Sequence, residues 1–182
     1  MQNGRYPDNS YGKGKKHNFV DFGVKGGLTY KITGRHYLTG NISYSTEAPL
    51  PNEAYISPRI SDNSIANLES GKVFSADINY IFSMPSFSGR ISLFQTNFYD
   101  QMHRSSYYYD SERTFVNHVL YGMTKKHRGV EFGLGYKLNG NWSFDLAGTI
   151  AEYFYGNNPN GVISYENGKA PDFEEKSYLK NH

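Results

Sequence analysis

Val130-Glu131-Phe132-Gly133-Leu134-Gly135-Tyr136-Lys137-Leu138-Asn139-Gly140-Asn141-Trp142-Ser143-Phe144-Asp145-Leu146-Ala147-Gly148-Thr149-Ile150 holds two alternating runs on either side of a turn. Val130, Phe132, Leu134, Tyr136 and Leu138 alternate with Glu131, Gly133, Gly135 and Lys137; Trp142, Phe144, Leu146, Gly148 and Ile150 alternate with Ser143, Asp145, Ala147 and Thr149. An apolar period of two is the signature of a strand with one apolar face. Paired strands must keep their apolar faces on one side, so parity decides the loop. A three-residue loop Asn139-Gly140-Asn141 sets Leu138 against Trp142, Tyr136 against Phe144 and Leu134 against Leu146, whereas a two-residue loop would mix the faces.

The same alternation runs upstream. Val20, Phe22, Val24, Gly26, Leu28, Tyr30 and Ile32 share one face, and around Gly34 the parity rule pairs Tyr30 with Leu38, Leu28 with Gly40 and Gly26 with Ile42. Phe74, Ala76, Ile78, Tyr80 and Phe82 repeat the pattern. Six strands are expected, over roughly 18–32, 36–46, 72–83, 88–108, 114–138 and 142–155. The fourth is irregular: Ile91 and Leu93 lie on one face, Phe94 and Phe98 on the other, and Phe94 and Phe98 are expected to face outward. Short turns near Gly34, Pro85 and Gly140 alternate with long polar loops, the pattern of a transmembrane β-barrel wall with short periplasmic turns and long extracellular loops.

Ten residues separate Arg128 from Leu138. They span about 33 Å of strand, or roughly 23 Å of height at a tilt of about 45°, which matches an apolar band about 25 Å tall. Outward charges should therefore begin at Arg128, which the register sets opposite Glu152. A cross-strand ion pair is predicted there, contributing no more than ~1 kcal/mol.

Composition agrees. Only 37% of residues are hydrophobic and mean hydropathy is −0.67, yet 16% are aromatic, with 17 Tyr and 12 Phe. Disordered chains are poor in aromatics, whereas a barrel combines a polar lumen face with aromatic girdles. A net charge of +2 is too small to point to nucleic acid, and the run Lys13, Lys15, Lys16 reads as a solvated loop. With no cysteine there are no disulfides and no thiolate metal sites. Met1-Gln2-Asn3-Gly4-Arg5 does not open a secretory signal, and no run of ~18 apolar residues exists for a membrane helix. An exported chain of this kind is expected to be a piece of a longer protein.

Asn67-Leu68-Glu69-Ser70-Gly71-Lys72 resembles the N-L-x-P-E-K segment that opens a barrel strand in TonB-dependent receptors, without its Pro and Glu. Asp77-Ile78-Asn79-Tyr80, the stretch from Phe94 to Phe98-Tyr99-Asp100-Gln101, and His127-Arg128-Gly129-Val130-Glu131-Phe132-Gly133 are similar to later barrel strands of that family, over residues 20–155. The resemblance implies an outer-membrane barrel of about twenty-two strands, plugged by an N-terminal domain. Such a receptor imports a scarce nutrient, a glycan, siderophore or similar, with energy from an inner-membrane complex. This chain would supply six of the strands, with the plug domain absent. Outer-membrane lipids, the plug with the coupling complex behind it, and a surface lipoprotein are the partners the resemblance implies, in the outer membrane of a bacterium.

Nothing in the sequence points to catalysis. There is no Gly-x-Ser-x-Gly elbow, phosphate loop or nucleophile arrangement, and the chain reads as no enzyme and without a cofactor. The six histidines lack the spacing of paired metal ligands. Asp110 and Glu112 read as solvated loop carboxylates. Asn41-Ile42-Ser43 and Asn141-Trp142-Ser143 match a glycosylation sequon by chance, one in a strand and one in a turn. Tyr107, Tyr108, Tyr109 and Asp110 form the candidate ligand-binding cluster, since stacked aromatics beside a carboxylate suit sugars or aromatic chelates; the competing reading is an interfacial girdle or loop packing. A passive porin-like or adhesin-like barrel and a soluble β-sandwich carbohydrate-binding module remain alternatives. The sandwich is disfavoured by strands that alternate over nine or more residues rather than the usual five or six.

Overall fold

The computed structural model describes residues 17–50, 53–59, 64–65, 68–167 and 173–176. Lys13, Lys15, Lys16 and Asn67 lie outside them. Six long antiparallel strands follow one another: β1 (Gly23–Thr33), β2 (His36–Glu47), β3 (Gly71–Ser83), β4 (Phe87–Tyr109), β5 (Thr114–Lys137) and β6 (Ser143–Tyr155). Two short strands, β7 (Asn160–Tyr165) and β8 (Phe173–Lys176), complete one sheet. β5 is shared along its length, since its Lys125–Lys137 half pairs with β6 and its Val116–Tyr121 part pairs with β7.

The register expected from the two short turns is the register observed. Tyr30 pairs with Leu38, Leu28 with Gly40, Gly26 with Ile42, Tyr136 with Phe144 and Leu134 with Leu146. Asn139 closes the β5–β6 turn by accepting hydrogen bonds at Oδ1 from the backbone N–H groups of Asn141 and Trp142, at 3.0 and 3.1 Å. The carboxylate of Glu152 accepts from Arg128 Nε at 2.9 Å and lies 2.8 Å from Nη2, the cross-strand pair that the register predicts.

One face of the wall is an apolar sheet open to its surroundings. Leu28, Ile42, Ile78, Leu93, Leu146 and Ile150 share it by register and all are more than half exposed, Leu28 at 77%. A contiguous apolar face of this extent is tolerated against lipid and not against water. Large rings cover small neighbours on it: a Cβ on Gly148 would sit 2.6 Å from Cζ of Phe132, its cross-strand partner. The opposite face carries Lys25, Asn41, Asp77, Asn79, Ser92 and Glu131 and is the lumen side. There Asn41 and Asn79 both donate to Asp77 Oδ1.

Phe94 and Phe98 contradict the expectation that they face outward. Ile91 and Leu93 pair with Tyr80 and Ile78 on one side and with Phe132 and Val130 on the other, all on the lipid face. Phe94 therefore shares the lumen face with Asp77, and Phe98 with Val73 and Lys125. The physical reason is that the two neighbouring strands fix the orientation of β4, and two aromatic residues cannot rotate a strand against a dozen paired rows.

Above the apolar band the connections are more ordered than polar loops would be. From the Gln95–Arg128 row the β4–β5 hairpin runs on to the Tyr109–Thr114 row, a further ~45 Å of strand at about 3.3 Å per residue. Two compensating bulges interrupt it. Between Phe98 and Gln101 β4 holds an extra residue, and between Met123 and Leu120 β5 does. Asp100 and Gly122 supply the left-handed backbone there, at φ 54° and 68°. A small core sits on this extension: Ile56 and Ile65 of the β2–β3 connection pack on Val119 and Val162, flanked by Leu68, Met102 and Tyr121.

Candidate ligand surface at the extracellular end

Tyr107, Tyr108 and Tyr109 end β4, and Asp110 begins the turn into β5. Strand alternation splits them. Tyr107 pairs with Val116 and Tyr109 with Thr114, whereas Tyr108 pairs with Phe115 and points to the other face. Tyr108 meets the Phe115 ring edge-on at 5.2 Å, and the Arg59 guanidinium lies over that ring at 4.8 Å. Tyr109 meets Tyr165 of β7 at 6.3 Å. All three tyrosines are about half exposed. Asp110 is exposed, and its carbonyl accepts from the Arg113 N–H at 3.2 Å, closing the turn. The four residues thus form a rim with rings on both faces rather than a single stacked platform. Among the described residues no three His, Asp or Glu side chains converge to hold a metal.

What anchors the rim is a polar network that the sequence does not advertise. The buried Asn117 accepts from Ser106 at Oδ1 and donates through Nδ2 to Ser57 at 3.2 Å and to Glu166 at 3.1 Å. Ser57 in turn donates to Ser164 at 2.9 Å, and Arg59 pairs with Glu166 at 3.3 Å. Four segments are tied together: the β2–β3 connection, β4, β5 and the end of β7. Buried polar groups of this kind are costly unless paired, and here each finds a partner. The partners lie up to 107 residues apart, so no local sequence pattern marks them.

A second feature missed at the sequence level lies on the lumen face just below. His127 sits between Phe98 and Tyr153, with ring centroids at 5.0 and 4.8 Å. The signal is present in the sequence, because the register that sets Arg128 against Glu152 also sets His127 against Tyr153 one row away.

The sequence model of a family described as TonB dependent receptor-like, beta-barrel matches residues 2–178. Neither the curated proteins nor the solved structures hold a significant match to the chain. The family match spans nearly the whole chain and agrees with the exposed apolar face, the lumen-facing polar face and the alternation of turns and long hairpins. The chain therefore belongs to the TonB-dependent receptors, transporters of the bacterial outer membrane, and forms part of the wall of their transmembrane β-barrel.

Proposed function

We propose that the receptor to which this wall belongs imports a scarce nutrient, a glycan, a siderophore or a compound of similar size, using energy passed from an inner-membrane complex through a plug domain. The observation that carries this reading is the family match over residues 2–178 on a sheet whose outer face is apolar and exposed. Periodicity alone says barrel wall and is silent on energy coupling, so the passive porin is the reading to eliminate. The decisive experiment is uptake by cells carrying the receptor, with and without TonB or the proton gradient. Energy-dependent uptake supports the importer; uptake that persists at full rate without coupling makes it a porin.

Tyr107, Tyr108, Tyr109 and Asp110 are proposed as first contacts for arriving ligand, since they stand at the outermost row of the longest hairpin with rings half exposed. A surface lipoprotein is the partner proposed for the same rim. Replacing the three tyrosines by alanine in the intact receptor is expected to weaken ligand binding with folding unchanged; unchanged affinity removes the rim from the binding surface.

A further inference from the structure

We propose that the lumen wall carries a carbohydrate subsite built on Phe98, His127, Tyr153 and Tyr155, with Thr96 and Lys125 as its polar members. The inference rests on the importer reading and narrows its substrate to a neutral glycan.

The subsite lies on three adjacent strands in two rows. Thr96 of β4 pairs with His127 of β5, which pairs with Tyr153 of β6; in the next row outward, Phe98 pairs with Lys125, which pairs with Tyr155. Directly paired residues share a face, and this face is the one that carries Asp77, Ser92 and Glu131, so the rings look into the lumen. Their height is informative. Both rows stand outward of Arg128, where the apolar band ends, and flank the level of Lys126, so the rings line the upper lumen, where a ligand passing the rim next meets the wall.

The three rings meet at steep angles. His127 is flanked at 5.0 Å by Phe98 and at 4.8 Å by Tyr153, tilted by 56° and 78°, so the three form a faceted surface rather than a closed stack. Tyr153 is 65% exposed on β6, a strand paired with β5 alone. An exposed aromatic surface in contact with water carries an unfavourable hydration free energy that an occupant covering it relieves.

The chemistry around the rings selects the occupant. A pyranose presents one face of C–H bonds, which stacks on an aromatic ring, and an edge of hydroxyls, which needs donors and acceptors at the rim of that ring. Thr96, the imidazole of His127 and the two tyrosine hydroxyls supply both. An anionic chelate would instead require several cations. Lys125 is the lysine beside the rings, and the nearest arginine on the face, Arg90, is 3.9 Å from the Glu131 carboxylate and so largely neutralised.

The intact receptor in detergent is titrated calorimetrically with neutral malto-, xylo-, manno- and β-gluco-oligosaccharides and, separately, with a ferric catecholate. At least one oligosaccharide series is expected to bind, and Phe98→Ala with Tyr153→Ala is expected to weaken it about tenfold per ring removed. Phe98→Leu with Tyr153→Leu keeps apolar volume while losing the flat face, and is expected to weaken binding nearly as much. Unchanged melting temperatures identify these as binding effects. The subsite is overturned if no oligosaccharide binds, if the ring variants bind oligosaccharide like the parent, or if the leucine pair restores binding in full, which would make the patch an apolar seat for the plug. Energised uptake of the catecholate that ignores the ring variants would refute the subsite and leave the importer standing. Oligosaccharide binding lost with the rings, together with uptake that needs no energy, would refute the importer and leave the subsite standing.

Discussion

Leu146→Arg and Thr149→Arg place the same charge three residues apart on β6 and on opposite faces of the wall. Leu146 pairs with Leu134 on the apolar side and is 61% exposed; Thr149 pairs with Glu131 on the lumen side. At about 3.3 Å per residue and a tilt near 45°, Leu146 stands roughly 9 Å above Trp142 and 14 Å below Glu152, which puts it close to the middle of the hydrocarbon. An arginine on the lipid face at that depth costs about 2–4 kcal/mol. On the lumen side the guanidinium stays hydrated and faces a carboxylate across the strands, so the cost is within about 0.5 kcal/mol of zero. The assay is denaturant-dependent folding of the receptor into phospholipid vesicles, with gel mobility before and after heating as the measure of the folded fraction. A loss of about 2 kcal/mol or more for Leu146→Arg alone is the expected result. Equal costs for the two variants, or the larger cost at Thr149, would refute the assignment of inside and outside and with it the lumen position of every residue in the carbohydrate subsite.

Further consequences can be measured separately. A double-mutant cycle on Arg128→Ala and Glu152→Ala should return a coupling of ~0.2–1 kcal/mol, because both side chains are more than half exposed; a value above about 2 kcal/mol would mean the pair is desolvated and the band ends further out. Gly129→Ala should cost about 1–3 kcal/mol by overpacking, since the new Cβ would lie 2.5 Å from the Ile150 carbonyl oxygen, while Gly133→Ala, with nothing within 4 Å, should be near neutral; similar costs at both sites in a folding titration would contradict the β5–β6 register. Asn117→Ala leaves Ser106, Ser57 and Glu166 short of a partner and should loosen the β2–β3 connection by about 1–3 kcal/mol. Faster amide exchange at Ile56 and Ser57, with β1 and β2 unaffected, is the readout, and exchange rising equally throughout the sheet would show that the network supports the wall instead.

How far the sequence can be read depends on the distance over which each feature is determined. The turns at Gly34 and Gly140 join strands whose partners lie within about thirty residues, and their alternation is unbroken, so parity alone yields the pairing down to Arg128 and Glu152. β4 is different. Its own pattern is ambiguous, because lumen-facing positions of a barrel are free to be aromatic where function uses them, and period two then reports two apolar faces. The ambiguity is resolved by Tyr80 and Ile78 in one neighbour and Phe132 and Val130 in the other, and only by carrying the register through both hairpins. The extracellular layer is less legible still. Ile56 meeting Val119 and Val162, or Ser57 meeting Ser164, requires knowing how a connection folds back over a hairpin, and nothing periodic records that.

The lumen position of Phe94 and Phe98 has a physical meaning. Wall positions on the lipid face are selected for apolarity and those on the lumen face for hydration, so a residue that breaks its face's rule carries a cost the fold does not return. Gln95 and Arg128 break the outer rule where the membrane ends, and lipid headgroups and water there make the breach inexpensive. Phe98 and Tyr153 break the inner rule at nearly the same height, where no headgroup reaches. The two breaches are mirror images across one sheet, and only the outer one is accounted for by the bilayer. On the proposed subsite, the inner one is answered by an occupant of the lumen that prefers a ring to a hydroxyl, and the tilted rings around His127, with Thr96 and Lys125 beside them, suit a sugar face better than a hydrocarbon chain.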